Sequence, residues 1–386
     1  MNVNRRDILS FGAALSAFSL SPRCLLAARN GPKVLILIEL QGANDGLNTV
    51  VPYASKRYYN LRPQIAVPRK TVITLDNMTG LHPSLVEVSK LFERGEVKIV
   101  QGLGYPHPIL SHFRSIELWE RGGDGKSNGR TGWLVDPLDI IAEELSSDAK
   151  AMFLDNAGEI FSGGLDGFLG PDALNRNLLN LKKSAGSSLS ISKSGSDLLG
   201  ELLDTRDKNR ERLQKLSAKL SSSNKRFDFG RGDLGQQLSK VCELLAAGVN
   251  IPVFKVSVGS FDTHDDQWWT HRELLRQLDK SIGGAVRAIK DMGLWNDTLM
   301  MTYSEFGRRA RENGSQGTDH GMAAPHFLIG GKIKGGIDGV APQLGQLEQD
   351  NELYTMDYRS IYNFVLNQHF GLGDNPFSEY DFSAIS

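Results

Sequence analysis

The sequence is poor in cysteine, has no excess of positive charge and has no long hydrophobic run beyond its amino terminus. Its two cysteines are Cys24 and Cys242. Cys24 lies in a segment that we interpret below as a leader, so an intrachain disulfide framework is excluded. The formal net charge of −1 excludes a polycation that coats nucleic acid. Since no run of about 18 apolar residues follows residue 30, we expect no stable membrane span.

The overall composition is that of a folded protein. Hydrophobic residues make up 40% and charged residues 23% of the 386 residues, which excludes disorder as the main state. About 350 residues beyond the leader are enough to bury a large core, as one large α/β domain or as two smaller ones. We expect residues 31–386 to form a single domain.

Residues 1–30 have the layout of an export signal. Arg5 and Arg6 precede a mildly apolar stretch at residues 8–20, and small residues follow up to residue 28. The arginine pair before a diluted apolar stretch resembles a twin-arginine signal. An ordinary secretory signal and a chance arginine pair are the alternatives. The pattern predicts the twin-arginine export machinery as a partner and a periplasmic or secreted location.

The rest of the chain alternates between strand and helix patterns. A continuous β-branched run predicts a strand buried on both faces at residues 34–38, and further strands are predicted at residues 97–100, 252–258, 298–303 and 326–329. Helical spacing predicts helices at residues 84–94, 234–248 and 265–292, and an exposed amphipathic helix at 198–221. The alternation predicts an α/β fold with a doubly wound, mainly parallel sheet and helices on both faces. The helix at 198–221 would belong to a helical insertion around residues 175–230.

Carboxylates and histidines cluster a few residues beyond the predicted strand ends. In open α/β sheets, ligands bind in the crevice beyond the carboxyl ends of the strands, so we expect these side chains to meet. Mixed imidazole and carboxylate donors favour a divalent metal that activates a nucleophile. The residues in these segments are Asp45, Ser111, His112, Asp262, His264, Glu305, Arg308, Asp319 and His320.

Each candidate also has a structural interpretation. Asp45, in Asn-Asp-Gly, can stabilise a tight turn. Ser111 can cap a helix, although helix starts also favour bound anions. His112 can be a buried histidine bonded to a backbone carbonyl, and we favour that interpretation. Asp262 and His264 can lie in a solvated acidic loop, but Asp-x-His before a helix is a compact ligand pair, so we favour a functional role.

Glu305 and Arg308 leave two interpretations open as well. A carboxylate at the end of an apolar strand is costly unless it is paired or bound to metal. Arg308 can pair with Glu305 or bind an oxyanion. Asp319 and His320 lie between glycines, in a loop suited to close approach, and we group them with Asp262 as ligand candidates. We assign the following histidines to structure or surface: His82, His107, His271 and His369.

Eight segments, in order along the chain, resemble one family. They occupy residues 41–53, 80–83, 101–106, 111–115, 131–134, 261–264, 304–308 and 317–321. These segments resemble the family called domain of unknown function 1501, and the matches run from about residue 34 to residue 341. Twin-arginine leaders are common in that family, which agrees with the leader interpretation.

The resemblance implies a fold and a chemistry. The family is grouped with the alkaline phosphatase and sulfatase superfamily, which implies an alkaline phosphatase-like fold and an exported metal-dependent hydrolase of phosphate or sulfate esters. The substrate would be a small oxyanion ester or a glycan-linked ester, and the metal zinc, calcium or manganese. Ser111 resembles the nucleophile, and Arg308 would hold the nonbridging oxygens. The residues that resemble metal ligands are Asp45, Asp262, His264, Glu305 and His320.

The sequence departs from the superfamily pattern at three points. Phe306 follows Glu305, where the superfamily commonly has histidine after a strand-end aspartate. The spacing from Asp262 to His264 is shorter than the common one. The sulfatase motif Cys-x-Pro/Ser-x-Arg is absent, which disfavours a formylglycine sulfatase. One metal ion or none is compatible with this set, so the alternative function is a non-catalytic exported binding protein on a degraded fold of this type.

Overall fold

The computed structural model describes residues 33–155, 158–164, 166–171 and 197–385. The predicted export signal and Cys24 lie outside these residues, as does much of the predicted insertion around residues 175–230. Cys242 is buried and free. No helix among the described residues is both long and apolar enough to cross a bilayer.

A nine-stranded sheet forms the centre of the molecule. Its spatial order is β13-β5-β12-β9-β1-β8-β6-β7, and β14 also pairs with β5. Two small sheets, β2-β4-β3 and β10-β11, lie beside it. The strands are β1 Val34–Leu40, β2 Val50–Val51, β3 Ile73–Thr74, β4 Gly80–Leu81, β5 Val97–Gly104, β6 Ala151–Phe153, β7 Phe168–Leu169, β8 Val253–Val258, β9 Thr298–Tyr303, β10 Gly307–Arg308, β11 His320–Gly321, β12 Ala324–Gly330, β13 Gly336–Asp338 and β14 Met356–Asp357.

Strand β1 lies at the centre of the sheet because its side chains, except Glu39, are apolar on both faces. All seven of its residues are buried, and it pairs in parallel with β8 on one side and β9 on the other. Ile36 and Ile38 point into one core, whereas Leu35 and Leu37 point into the other. A continuous apolar run is the pattern expected of a strand covered on both faces.

Helices cover both faces of the sheet. The helices are α1 Gly46–Thr49, α2 Lys56–Leu61, α3 Val86–Glu93, α4 His112–Arg121, α5 Val135–Glu144, α6 Asp197–Ser222, α7 Asp233–Ala246, α8 Gln267–Asp291 and α9 Arg359–Phe364. Helices α3, α7 and α8 pack on the face of Ile36, and α4, α5 and α9 pack on the face of Leu35. The α/β, doubly wound and mainly parallel fold is therefore confirmed.

One interior strand runs against the others. The predicted strand at residues 326–329 is present as β12, but β12 is antiparallel to both β5 and β9. Strands β1, β5, β8 and β9 consequently run in the same direction, and their carboxyl ends meet at one edge. Because β12 starts at that edge, the loop before it, which carries His320, also reaches the edge.

The helix predicted at residues 198–221 is present as α6. Leu216 is buried against the main core, and Leu213 and Leu220 are partly buried there. Arg212 Nη2 donates to Asp166 Oδ2 at 3.2 Å. One face of α6 is therefore packed on the domain, as an amphipathic pattern predicts.

Candidate metal centre

Three histidines from three different segments turn their Nε2 atoms toward one point. His112 begins α4, His264 lies in the loop after β8, and His320 begins β11. The Nε2 atom of His320 lies 3.1 Å from that of His112 and 3.0 Å from that of His264. We call these three residues, together with Asp262, the histidine cluster.

The carboxylate of Asp262 completes this cluster. Its Oδ1 lies 3.0 Å from Nε2 of His264 and 3.5 Å from Nε2 of His320. Its Oδ2 lies 3.4 Å from Nε2 of His112. The ligand atoms of His112, Asp262 and His320 all lie within 4.8 Å of one another, whereas His264 lies beside them with its Nε2 also 3.5 Å from Arg308 Nη1. The four side chains keep between 22% and 45% of their surface exposed, so the cluster is open to solvent.

The other ring nitrogen of each histidine is bound to an acceptor. Nδ1 of His112 donates to Glu305 Oε1 at 2.6 Å, and Nδ1 of His320 donates to the carbonyl oxygen of Leu110 at 2.9 Å. Nδ1 of His264 lies 3.4 Å from Asp319 Oδ1. Because carbonyl and carboxylate oxygens only accept, the hydrogen of each neutral imidazole is on Nδ1.

The inward nitrogens therefore present lone pairs to one another. Neutral rings with hydrogen on Nδ1 have no hydrogen on Nε2, so the Nε2 contacts of His320 with His112 and His264 bring acceptors face to face. A cation between them relieves this repulsion, and an outward bond to carboxylate or carbonyl is the usual support of a metal-binding histidine. Donors of a tetrahedral zinc ion lie ~3.3 Å apart, close to the separations found here. The donor set therefore fits a divalent metal.

Local contacts shift the pKa values of the cluster. The hydrogen bond to Glu305 raises the pKa of His112. Burial lowers the pKa of His320. Partial burial alone would raise the pKa of Asp262, but the hydrogen bond and charge of Arg308 lower it below its ordinary value. The carboxylate of Asp262 is thus kept ionised, and the pKa values of His112 and His320 are shifted in opposite directions.

Arg308 connects the loops that carry these residues. Its Nε donates to Ala43 O at 2.8 Å, and its Nη1 donates to Thr318 O at 2.9 Å. Its Nη2 donates to Asp262 Oδ1 at 2.5 Å and also contacts the carbonyls of Gly42 and Phe261. The guanidinium is fully buried, so its donors serve the protein itself.

Gly42 allows two of these loops to approach closely. Its φ of +102° lies in the left-handed region, and a Cβ there would lie 2.4 Å from the backbone nitrogen of Asp262. Its own backbone nitrogen donates to Glu305 Oε1 at 2.8 Å. A side chain at this position would therefore push Asp262 away from the cluster.

Asp45 belongs to a different set of contacts. Its Oδ2 pairs with Arg62 Nη1 at 2.5 Å and accepts a hydrogen bond from Gln267, and its Oδ1 accepts from the backbone nitrogen of Asn48 at 3.4 Å. Both partners of the ion pair are almost completely buried. Burial alone would raise the pKa of Asp45, but the charge of Arg62 holds it below its ordinary value. We call Asp45, Arg62, Asn48 and Gln267 the Asp45 cluster.

A cavity of about 740 Å³ opens beside the histidine cluster. His112, Asp262 and Glu305 line one part of it, and Glu39 and Glu120 line another. The cavity is large enough for a small organic molecule.

The family can now be stated. The DUF1501 family, described as a protein of unknown function, matches residues 104–374. The chain belongs to this family. The resemblance drawn from the sequence segments is thereby confirmed, and no curated protein was found to match the chain.

Several solved structures resemble the chain at a distance. A protein in the alkaline phosphatase superfamily from Vibrio parahaemolyticus is 13% identical with a TM-score of 0.35; the match covers 81% of this chain and 64% of that protein. The PsFucS1 sulfatase from Pseudoalteromonas sp. is 11% identical with a TM-score of 0.41, over 93% of this chain and 72% of that one. The C-terminal periplasmic domain of EcEptC from Escherichia coli, in complex with zinc, is 9% identical with a TM-score of 0.34, over 78% and 74%. Likeness at this level assigns no role to any residue here.

The structure divides the candidate residues into groups. Asp262, His264 and His320 come together with donor atoms facing one another. Glu305 and Asp319 contact the outward nitrogens of histidines and do not face the centre. Arg308 contacts the cluster from behind, through its bond to Asp262, and its other donors bind backbone carbonyls. Two residues are set apart from the centre: Asp45, bound to Arg62, and Ser111, which is exposed and makes no capping hydrogen bond.

Sequence reasoning placed His112 with the buried histidines, and the structure places it in the cluster. Its side chain is 31% exposed, and its Nδ1 bonds to a carboxylate, not to a backbone carbonyl. The available signal was its position at a helix start after β5, next to Ser111. That position points to the correct edge of the sheet but does not say which of the two neighbours faces inward.

Proposed function

We propose that the chain is an exported metal-dependent hydrolase of phosphate or sulfate esters. His112, Asp262, His264 and His320 would hold one divalent ion. The observation that carries the proposal is the convergence of three imidazole lone pairs and one carboxylate, each imidazole being fixed by an outward acceptor.

The donor set favours a borderline metal. Imidazole nitrogens suit zinc and related ions, whereas calcium takes oxygen ligands almost alone. Of the metals expected from the sequence, zinc and manganese fit better than calcium. A divalent ion in this position would polarise an ester oxygen and lower the pKa of a nearby water molecule.

The protein's own residues would orient the reaction. Glu305 fixes the ring of His112 and makes its nitrogen more basic. Arg308 holds Asp262 in place by a bond of 2.5 Å. The cavity beside His112 and Asp262 gives the substrate its access. Glu305 and Arg308 are therefore positioning residues in this proposal.

Ser111 and water are the two candidate nucleophiles. Ser111 is exposed, and its side chain makes no capping hydrogen bond. A serine nucleophile needs a neighbouring base or a lowered pKa, and no contact of that kind is found for Ser111 in the described part of the chain. We favour attack by water.

The predicted leader supports an exported location. Arg5 and Arg6 before an apolar stretch support export of the folded chain by the twin-arginine machinery, to the periplasm or the outside. Zinc or manganese would then be acquired before or after export. A shift of the chain to the cytoplasm after Arg5→Lys with Arg6→Lys, seen by cell fractionation, would test this route.

One observation favours a second function, a non-catalytic binding protein. The donors of Arg308 are engaged by four carbonyls and Asp262, so the guanidinium offers no free donor to an oxyanion. The same cluster would then bind a metal without performing hydrolysis.

Metal analysis of the full chain, combined with a hydrolysis assay, separates these outcomes. We expect one equivalent of metal in the wild type and none after His320→Ala. His107→Ala is the matched control, because His107 is exposed and lies outside the cluster. With metal added, the wild type should hydrolyse 4-nitrophenyl phosphate or 4-nitrophenyl sulfate.

Two results would contradict the proposal in different ways. Less than one equivalent of any divalent metal, under conditions where the chain is folded, would remove the metal centre. One equivalent of metal without hydrolysis of either ester would remove the enzyme and leave the binding protein.

A further inference from the structure

Two of the outward acceptors of the histidine cluster lie on segments that are far apart in the sequence. Glu305, whose carboxylate accepts from Nδ1 of His112 at 2.6 Å, follows β9. Leu110, whose carbonyl oxygen accepts from Nδ1 of His320 at 2.9 Å, lies in the loop between β5 and α4. An acceptor fixes an imidazole only as well as it is itself fixed, so whatever holds these two acceptors bears on metal binding.

The hydroxyl of Tyr105 fixes the loop that carries Leu110. Tyr105 follows β5 directly and is 1% exposed. The backbone nitrogen of Ile109 donates to the hydroxyl oxygen of Tyr105 at 3.0 Å, and the carbonyl oxygen of Ile109 lies 3.3 Å from the same atom. The ring of Tyr105 packs edge to face against Tyr358, with centroids 5.9 Å apart. Since Ile109 precedes Leu110 in the chain, Tyr105 holds the peptide next to the acceptor of a cluster histidine.

The hydroxyl of Ser115 fixes Glu305. Ser115 lies in α4, three residues after His112, and is completely buried. Its Oγ donates to the backbone carbonyl oxygen of Glu305. The ring of His112 and the hydroxyl of Ser115, one helical turn apart, thus bind the side chain and the backbone of the same residue. These two bonds fix α4 relative to the acceptor that it uses.

The two hydroxyls also contact each other, and their hydrogens can be assigned. The hydroxyl oxygen of Tyr105 lies 2.7 Å from Ser115 Oγ. A carbonyl oxygen only accepts, so the single hydrogen of Ser115 points to Glu305, and the hydrogen between the two hydroxyls comes from Tyr105. One directed series of bonds results, from the nitrogen of Ile109 through the two hydroxyls to the carbonyl of Glu305. Bonds in such a series strengthen one another.

Stability of the fold alone does not require hydroxyls at these two positions. Serine is a poorer helix former than alanine, and a buried hydroxyl is costly unless it is bonded. Apolar groups of the same shape in place of both partners can leave stability nearly unchanged. What the hydroxyls of Tyr105 and Ser115 add is alignment of the two segments that carry the acceptors.

We propose that Tyr105 and Ser115 are positioning residues that set the metal affinity of the histidine cluster. Tyr105 acts through the acceptor of His320, and Ser115 acts through the acceptor of His112. Neither side chain would contact the ion itself. This inference rests on the metal site of the proposed function and does not depend on hydrolysis.

The zinc affinity of the full chain, measured by competition with a chelator, tests the proposal. We expect Tyr105→Phe and Ser115→Ala each to weaken zinc binding about tenfold, the lower end of what loss of an outer support costs a metal site. The double variant should weaken zinc binding by less than the product of the two single factors, because both hydroxyls belong to one series of bonds.

Two other buried hydroxyls provide matched controls. Tyr362 donates to the carbonyl oxygen of Trp119 at 2.6 Å, and Ser239 donates to the carbonyl oxygen of Gly235 at 2.7 Å within α7. In the described part of the chain, neither hydroxyl bonds to the histidine cluster or to its acceptors. Tyr362→Phe and Ser239→Ala should lower the denaturant midpoint of the metal-free chain about as much as the test variants do, and they should leave zinc affinity unchanged.

The outcomes separate this inference from the proposed function. Unchanged zinc affinity in both test variants, with one equivalent bound by the wild type, would overturn the inference and leave the metal site. An equal loss of affinity in the controls would also overturn it, because the effect would then follow stability. A wild type without zinc would remove the proposed function together with the inference, whereas zinc binding without ester hydrolysis would leave the inference in place. If Ser115→Ala does not fold, Tyr105→Phe decides, because it removes a single oxygen atom.

Discussion

Two polar clusters lie at the same edge of the sheet, and they differ in whether their polar atoms are satisfied by the protein. In the Asp45 cluster, both oxygens of Asp45 accept hydrogen bonds from Arg62, Gln267 or Asn48. In the histidine cluster, nitrogen lone pairs face one another at 3.0 to 3.1 Å. Both contain an acidic residue beyond a strand end.

The difference teaches what separates a structural strand-end carboxylate from a candidate ligand. An opposite charge within the fold satisfies Asp45 and closes its cluster to solvent. Asp262 also pairs with an arginine, Arg308, but it keeps 45% of its side-chain surface exposed. Asp45 and Asp262 share a position at the sheet edge. They differ in how completely their bonding partners shield them from solvent.

The largest effect, a loss of unfolding free energy, should come from removing the carboxylate of Asp45. Asp45→Ala leaves Arg62 buried without its carboxylate, and loss of one partner of a buried ion pair costs ~3–5 kcal/mol of unfolding free energy. Metal content should stay at one equivalent. Denaturant unfolding and metal analysis of the same sample measure both, with Asp374→Ala, an exposed aspartate, as control. Loss of metal with unchanged stability would reverse the roles of the two clusters.

Acid should release metal before it unfolds the chain. His271, which bonds to Asn44 at 2.9 Å beside Asp45, has its pKa lowered to about 4 by burial. The unfolded chain then binds more protons between pH 6.5 and pH 4, so stability falls as pH decreases through that window, by up to ~3 kcal/mol.

The histidine cluster responds at higher pH. Because its bond to Glu305 raises the pKa of His112, His112 gains its proton first, and a protonated ring cannot bind metal. As the pH decreases from 8 to 4, the metal content measured after dialysis should fall first and the melting temperature second. Unfolding that precedes metal loss would contradict the comparison.

A smaller effect, on metal affinity, is expected from changing Glu305, which supports the ring of His112. Glu305→Gln keeps an acceptor near Nδ1 of His112 but removes the charge, and changes of this kind typically weaken metal binding ~10–100-fold. Competition with a chelator measures the affinity. Glu379→Gln, at an exposed position, is the control. An unchanged affinity would show that Glu305 does not support the ligand.

The smallest effect should follow Ser111→Ala. Its exposed side chain makes no capping hydrogen bond, so unfolding free energy should change by less than ~0.5 kcal/mol. Metal content and hydrolysis should be nearly unchanged. A loss of hydrolysis of about 1,000-fold or more with metal retained would instead identify Ser111 as the nucleophile.

The sequence predicted the framework well because apolar runs report burial directly. The five strands expected at residues 34–38, 97–100, 252–258, 298–303 and 326–329 are β1, β5, β8, β9 and β12. The reversed direction of β12 was not predicted, since residue patterns do not encode which way an interior strand runs.

The site was predicted in part. Asp262, His264 and His320 were recognised because they follow strands that end at one edge. The contacts of Asp45 depend on Arg62, 17 residues away on α2, and those of His112 depend on Glu305, 193 residues away. Pairings between residues so far apart in the sequence are set by packing. The position of a residue at a strand end does not reveal them.

Arg308 fixes the loops around the histidines through backbone carbonyls. Folding therefore forms the metal site before any ion binds. A chelator should then remove the ion without unfolding the chain. Which ion is found there would then reflect its supply in the surrounding compartment as much as the ligands themselves.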